Sequence, residues 1–169
     1  PHGTTATAAK VAETRQAIAD GAAEVDMVIN IGALRSGFDD QVVADIAAVV
    51  AAADGHVTKV ILETALLDDE QIARGSRLTE QGGAQFVKTS TGFAGGGATV
   101  ADVELMRSQV GPDVQVKASG GVRSYADALA MLQAGATRLG TSGSAVILGE
   151  ARRVDAGEGA TGAVDASSY

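Results

Sequence analysis

Cysteine is absent from the 169-residue sequence. That excludes a disulfide framework and a thiolate metal site, and it fits a reducing cytoplasm. Aromatic residues make up only 3% of the chain, so a core has to be assembled from Ala, Val, Ile and Leu. Basic side chains are outnumbered, 13 Lys and Arg against 21 Asp and Glu, for a formal net charge of −8. Nucleic-acid binding needs a basic surface to neutralise phosphates, so no nucleic-acid partner is expected. A small phosphorylated ligand stays open, because it needs only a local cluster of donors. No apolar run approaches the roughly 20 residues of a membrane helix. The start, Pro1-His2-Gly3-Thr4-Thr5, has neither the basic region nor the apolar stretch of a signal peptide. No membrane partner and a cytoplasmic location are the expectations.

What is present is the balance of a globular protein, 46% hydrophobic and 20% charged residues, in a chain long enough for one domain with a real core. One pattern repeats. A helix-like stretch ends in Gly-Ala or Gly-Gly-Ala, and an apolar strand follows a few residues later. The repeat occurs at Gly21-Ala22 before Val25-Asp26-Met27-Val28-Ile29, at Gly82-Gly83-Ala84 before Phe86-Val87-Lys88-Thr89, and at Gly135-Ala136 before Arg138-Leu139-Gly140-Thr141. Glycine is favoured just past a helix C-terminus, where the backbone turns left-handed. Two further strands fit between these, at residues 59–64 and 114–118. The spacing predicts helices over residues 8–20, capped by Thr5 or Thr7, then 40–53, one opened by Asp68-Asp69-Glu70, 99–110 and 124–133. Strands alternating with helices mean a parallel sheet, α/β in class. Five units fit an open sheet, or part of a (β/α)8 barrel whose other three units lie upstream. No strand leads into a G-x-G-x-x-G turn, so a dinucleotide fold is disfavoured.

Strand parity carries the chemical signal. Alternate residues of a strand point to opposite faces. If Val25, Met27 and Ile29 face the helices, Asp26 faces the other side; Lys117 and Lys88 follow by the same argument. Buried charges need partners, and one acid with two lysines exceeds a simple ion pair. Lysine attacks a carbonyl only as the neutral amine, and a second ammonium together with burial favours that form. The imine formed withdraws electrons and lets a carbon–carbon bond break, while a carboxylate shuttles protons. One acid and two lysines therefore suit class I aldolase chemistry, with the choice of nucleophile between the two lysines left open. Glycine and hydroxyl residues also cluster after the strands, at Thr89-Ser90-Thr91-Gly92, Ser119-Gly120-Gly121 and Gly140-Thr141-Ser142-Gly143-Ser144. Backbone N–H groups and hydroxyls there suit phosphate.

These residues resemble a known family. Glu24-Val25-Asp26-Met27-Val28-Ile29-Asn30, Phe86-Val87-Lys88-Thr89-Ser90-Thr91-Gly92-Phe93 and Lys117-Ala118-Ser119-Gly120-Gly121-Val122-Arg123 are similar to the signature segments of deoxyribose-phosphate aldolases. The resemblance covers residues 1–149. It implies a TIM-barrel fold, no metal or other cofactor, and reversible cleavage of 2-deoxy-D-ribose 5-phosphate to acetaldehyde and D-glyceraldehyde 3-phosphate. By the same resemblance Lys88 is the imine-forming lysine, Lys117 the second lysine that lowers its pKa, and Asp26 the proton-relay aspartate. Gly92, Gly120, Gly121, Gly140 and Ser142 match positions lining the phosphate pocket. The full-length family member is expected to be a homo-oligomer.

After Gly149 the composition shifts to Gly, Ala, Asp and Ser, predicting a partial barrel domain over 1–149 and a flexible tail over 150–169. Some family members carry a terminal tyrosine that enters the site, which makes Tyr169 a candidate catalytic residue. The chain is expected to be N-terminally incomplete and unstable alone; a cooperatively unfolding monomer would refute that. Three rival readings remain: another Schiff-base sugar-phosphate aldolase, an inactive or split barrel that needs an N-terminal partner, and a nonspecific phosphate-binding barrel.

Overall fold

A computed structural model describes residues 1–157. Five strands, β1 (Glu24–Val28), β2 (Val57–Ile61), β3 (Phe86–Lys88), β4 (Gln115–Ser119) and β5 (Arg138–Gly140), form one parallel sheet in sequential order. Helices α1 (Thr7–Ala19), α2 (Ile31–Arg35), α3 (Asp39–Ala52), α4 (Asp69–Gln81), α5 (Val100–Gln109), α6 (Tyr125–Gln133) and α7 (Ser144–Asp155) pack around it. A parallel pair needs a crossover connection, and helices supply one after every strand. The sheet is strongly curled: Arg138 on β5 reaches Glu24 on β1 at 2.8 and 3.3 Å, although the two strands lie at opposite edges. The result is a half-barrel with a polar concave face.

The register explains the division between the faces. Asp26 pairs with Lys59, Ile61 with Lys88, and Lys88 with Lys117, so these residues share the concave side. Met27, Ile29, Val60, Leu62, Val87, Val116 and Ala118 point to the helices and are buried with Ile46, Val49, Ile72, Val103 and Met106. Each of these Val, Ile, Leu and Met side chains contributes about 1.5–3 kcal/mol of burial free energy. Aliphatic residues fill this layer, as the scarcity of aromatics requires.

Helix ends are set locally. Asp68 and Gln71 form a capping box on α4, Ser124 and Asp127 another on α6, and Thr99 caps α5. Gly21, Gly83 and Gly135 take φ of 99°, 84° and 108° after their helices, the left-handed turn that glycine permits.

Two expectations need correction. The cap of α1 is Ala6, which makes no side-chain hydrogen bond. Thr7 instead donates to Asp45 Oδ1 at 2.7 Å, beside the buried Lys10–Asp45 pair at 2.5 Å; the hydroxyl is spent on joining α1 to α3. The expected tail start at 150 falls inside α7, which continues to Asp155. Ile147 and Glu150 are buried on its inner face, and Glu150 Oε2 accepts the Tyr125 N–H at 2.7 Å. That contact serves an unpaired donor at the start of α6, an anchor that composition does not reveal.

Candidate active site

The concave face gathers charges from every strand. Asp26, at the middle of β1, is the hub. Its Oδ2 accepts from Lys88 Nζ at 2.7 Å and from Lys117 Nζ at 3.1 Å. Its Oδ1 lies 3.0 Å from Lys59 Nζ. Lys59 also lies 2.6 Å from Glu24 Oε2, and Glu24 is held by Arg138. The Arg138 guanidinium sits 5.2 Å from the centroid of the Phe86 ring, a cation–π arrangement. Two acids therefore hold three lysines and one arginine across all five strands.

The electrostatics follow from these contacts. Burial pushes the Asp26 carboxyl up, but hydrogen bonds from Lys88 and Lys59 outweigh it and hold the group well below the usual carboxylate range. Hydrogen bonds from Arg138 and Lys59 lower Glu24 to about 2. Burial pushes Lys117 down; the contact with Asp26 opposes this, while the nearby Lys88 and Lys59 charges reinforce it, and the net direction is down. The surroundings of Lys117 thus make loss of its proton easier.

Above this cluster, at the C-terminal ends of the strands, a cavity of about 860 Å³ opens. Lys88 and Lys117 form its floor. Gly92, Gly120, Gly121, Gly140 and Ser142 line its wall, joined by Thr91, Phe93, Arg123 and Thr141. The structure therefore brings together Asp26, Lys88 and Lys117, and gathers the five small residues around the same opening. Gly97 approaches Gly120 so closely that a Cβ on Gly97 would lie 2.5 Å from the Gly120 carbonyl oxygen, so this part of the wall is bare backbone. Tyr169 lies outside the described residues. Among those residues, no group of three His, Cys, Asp or Glu side chains is placed to hold a metal ion, and no helix is long and apolar enough to cross a membrane.

Sequence reasoning missed Lys59, Glu24 and Arg138. The signal for Lys59 was available. Val60 and Leu62 are apolar and helix-facing, so the parity that singled out Asp26 also turns Lys59 inward. Glu24 and Arg138 stand at the first positions of short strands, where parity alone does not separate a lumen residue from a solvated end.

Comparison with known proteins agrees with this geometry. The DeoC/LacD family aldolase model matches residues 1–150. The chain is 60% identical over 148 residues to deoxyribose-phosphate aldolase 1 of Staphylococcus aureus strain MRSA252, covering 88% of this chain and 67% of that protein. Deoxyribose-phosphate aldolase 2 of strain MSSA476 is 59% identical with the same coverage. Among solved structures, a deoxyribose phosphate aldolase from Aeropyrum pernix, described as a unique tetramer, superimposes with a TM-score of 0.81 at 33% identity, covering 91% of this chain and 65% of that one. The chain thus spans about two-thirds of the length of the relatives it matches. On the family match over nearly all the described residues, the chain belongs to the DeoC/LacD family of aldolases.

Proposed function

We propose that the protein cleaves 2-deoxy-D-ribose 5-phosphate reversibly to acetaldehyde and D-glyceraldehyde 3-phosphate through a Schiff base on Lys88. The observation that carries this reading is the pair of lysines on adjacent strands, both bonded to one oxygen of Asp26, beneath a glycine-lined cavity. In the proposed reaction Lys88 Nζ attacks the aldehyde carbon of the open-chain sugar, and water leaves to give the iminium. The bond between C2 and C3 then breaks; its electron pair moves toward the iminium nitrogen, giving an enamine, as a proton leaves the C3 hydroxyl. Protonation of C2 and hydrolysis of the imine release acetaldehyde and free Lys88. Asp26 relays these protons, and Lys117 stands beside the reacting nitrogen as the second amine. Gly92, Gly120, Gly121, Gly140 and Ser142 hold the phosphate through backbone N–H groups and a hydroxyl. The names of the relatives support the substrate assignment. The tetramer described for the Aeropyrum pernix enzyme supports a homo-oligomeric full-length protein, and a cytoplasmic location belongs to the same reading.

Borohydride trapping with acetaldehyde, followed by peptide mass mapping, tests the mechanism. Reduction converts the imine to a stable ethyl-lysine, which is expected on Lys88. An adduct on Lys117 would reverse the roles of the two lysines, and no adduct on either would sink the Schiff-base reading.

A further inference from the structure

Among the described residues only Asp54 and Glu63 are non-glycine residues with positive φ, at 48° and 60°. Asp54 is exposed in a turn, where a short polar side chain tolerates that conformation. Glu63 is different: it is fully buried, just past the end of β2. A buried long side chain on a left-handed backbone persists only where its surroundings impose it. Its carboxyl group accepts the Thr91 N–H at 3.1 and 3.3 Å and the Thr91 hydroxyl. Thr91 Oγ1 in turn accepts the Phe93 N–H at 3.0 Å. Glu63 makes no salt bridge among the described residues.

The left-handed turn also throws the chain into a 3-10 turn, Thr64–Leu66. There Ala65 presses against the glycine loop: a Cβ on Gly96 would lie 2.4 Å from Ala65 Cβ. Gly97 follows, packed on the Gly120 backbone. Glu63 thus bears on the Thr91–Gly97 segment twice, through its carboxyl group and through the turn that it starts. Four of the seven residues in that segment are glycine, so its backbone is costly to order. Backbone N–H groups bind a phosphate well only when they are already in place.

We infer that Glu63 is a positioning residue that fixes the Thr91–Gly97 wall of the cavity and thereby sets affinity for the phosphorylated end of an aldehyde substrate. The role rests on the aldolase reading proposed above for the substrate, but the clamp itself does not. Glu63 does not line the cavity and sits behind Thr91, which does, so it takes no part in imine formation.

Glu63→Gly separates the two ideas, because glycine adopts the left-handed backbone without strain while the carboxyl group is lost with the rest of the side chain. In condensation with acetaldehyde, KM for D-glyceraldehyde 3-phosphate is expected to rise on the order of tenfold. KM for unphosphorylated D-glyceraldehyde and the rate of borohydride trapping on Lys88 should stay within about twofold. Glu63→Gln, which keeps an acceptor for the Thr91 N–H, should fall between. Amide exchange at Thr91 and Phe93, measured without substrate, should accelerate in Glu63→Gly while Val60 and Val87 stay protected. Equal changes in the two KM values, or unchanged exchange at Thr91 and Phe93, would overturn the inference. If the unaltered protein forms no imine, the aldolase reading fails, and exchange alone decides the clamp. Should Glu63→Gly not fold, Thr91→Val tests the clamp from the other side: it removes the hydroxyl that joins Glu63 to the Phe93 N–H, so amide exchange at Phe93 should accelerate, and unchanged exchange there would overturn the inference.

Discussion

Asp26 concentrates the chemistry of the site in one side chain. A carboxyl group that accepts from Lys88, Lys117 and Lys59 together keeps three ammonium-bearing stems pointed at one spot. Asp26→Asn keeps the shape but removes both the charge and the proton acceptor. Borohydride trapping with acetaldehyde is expected to slow by about 10²- to 10⁴-fold, the usual contribution of a positioned acid–base group. Circular dichroism should remain that of the unaltered protein at neutral pH. Trapping at an undiminished rate would remove Asp26 from the proton relay. The carboxyl group was legible in the sequence because it interrupts an apolar strand at a position of fixed parity. Its third partner, Lys59, was legible by the same rule. The choice between Lys88 and Lys117 was not, since the two occupy equivalent positions on adjacent strands; it came from the family resemblance.

At the scale of elements, four of the five strands and helices α1, α3, α5 and α6 were read to within a residue or two, because Gly-Ala steps and caps mark their ends, while β2 ends at Ile61, three residues before the expected end. Phe86 opens β3 and Arg138 opens β5, where the pattern places them. The short helix α2 and the turn after Glu63 have no apolar period, and α7 was mistaken in part for tail because Gly149 and the residues after it dilute its pattern. Gly82 shows a subtler point. It has an ordinary helical φ of −75°, so it is not there for conformational freedom. A Cβ at this position would lie 2.4 Å from Ile46 Cγ2 and 2.7 Å from Ile46 Cβ, and Ile46 is fully buried in α3. Gly82→Ala is therefore expected to cost about 1–3 kcal/mol through overpacking. Ser124→Ala, which removes the hydroxyl that accepts the Asp127 N–H at 3.1 Å, should cost about 1 kcal/mol. Each kcal/mol lowers Tm by about 2–4 °C in a chain of this size. Thermal unfolding that places Gly82→Ala at or above the unaltered protein would show that α3 and α4 move apart without penalty.

For the molecule as a whole, the curl of the sheet is what makes one site out of five strands, and it was the least legible feature. Strand order follows from the βα repeat, but curvature depends on contacts between residues far apart in sequence. The Arg138–Glu24 pair spans 114 residues and joins the two edge strands. Hydrogen bonds from Arg138 and Lys59 lower its acid from the ordinary 4.5 to about 2, so the folded state binds that proton less tightly than the unfolded chain does. The stability it contributes is complete above pH 4.5 and is lost as pH falls toward about 2. Glu24→Gln removes this dependence, and urea unfolding across that window should show a shallower loss of stability with acid than in the unaltered protein. The slope should not vanish, because Asp26 is held low by its own lysines and keeps its share. Arg138→Met leaves Glu24 with Lys59 alone and should give an intermediate slope. An acid limb identical in Glu24→Gln and the unaltered protein would mean that the two edges of the half-barrel are held by packing, with the ion pair a consequence of the curl and not a cause.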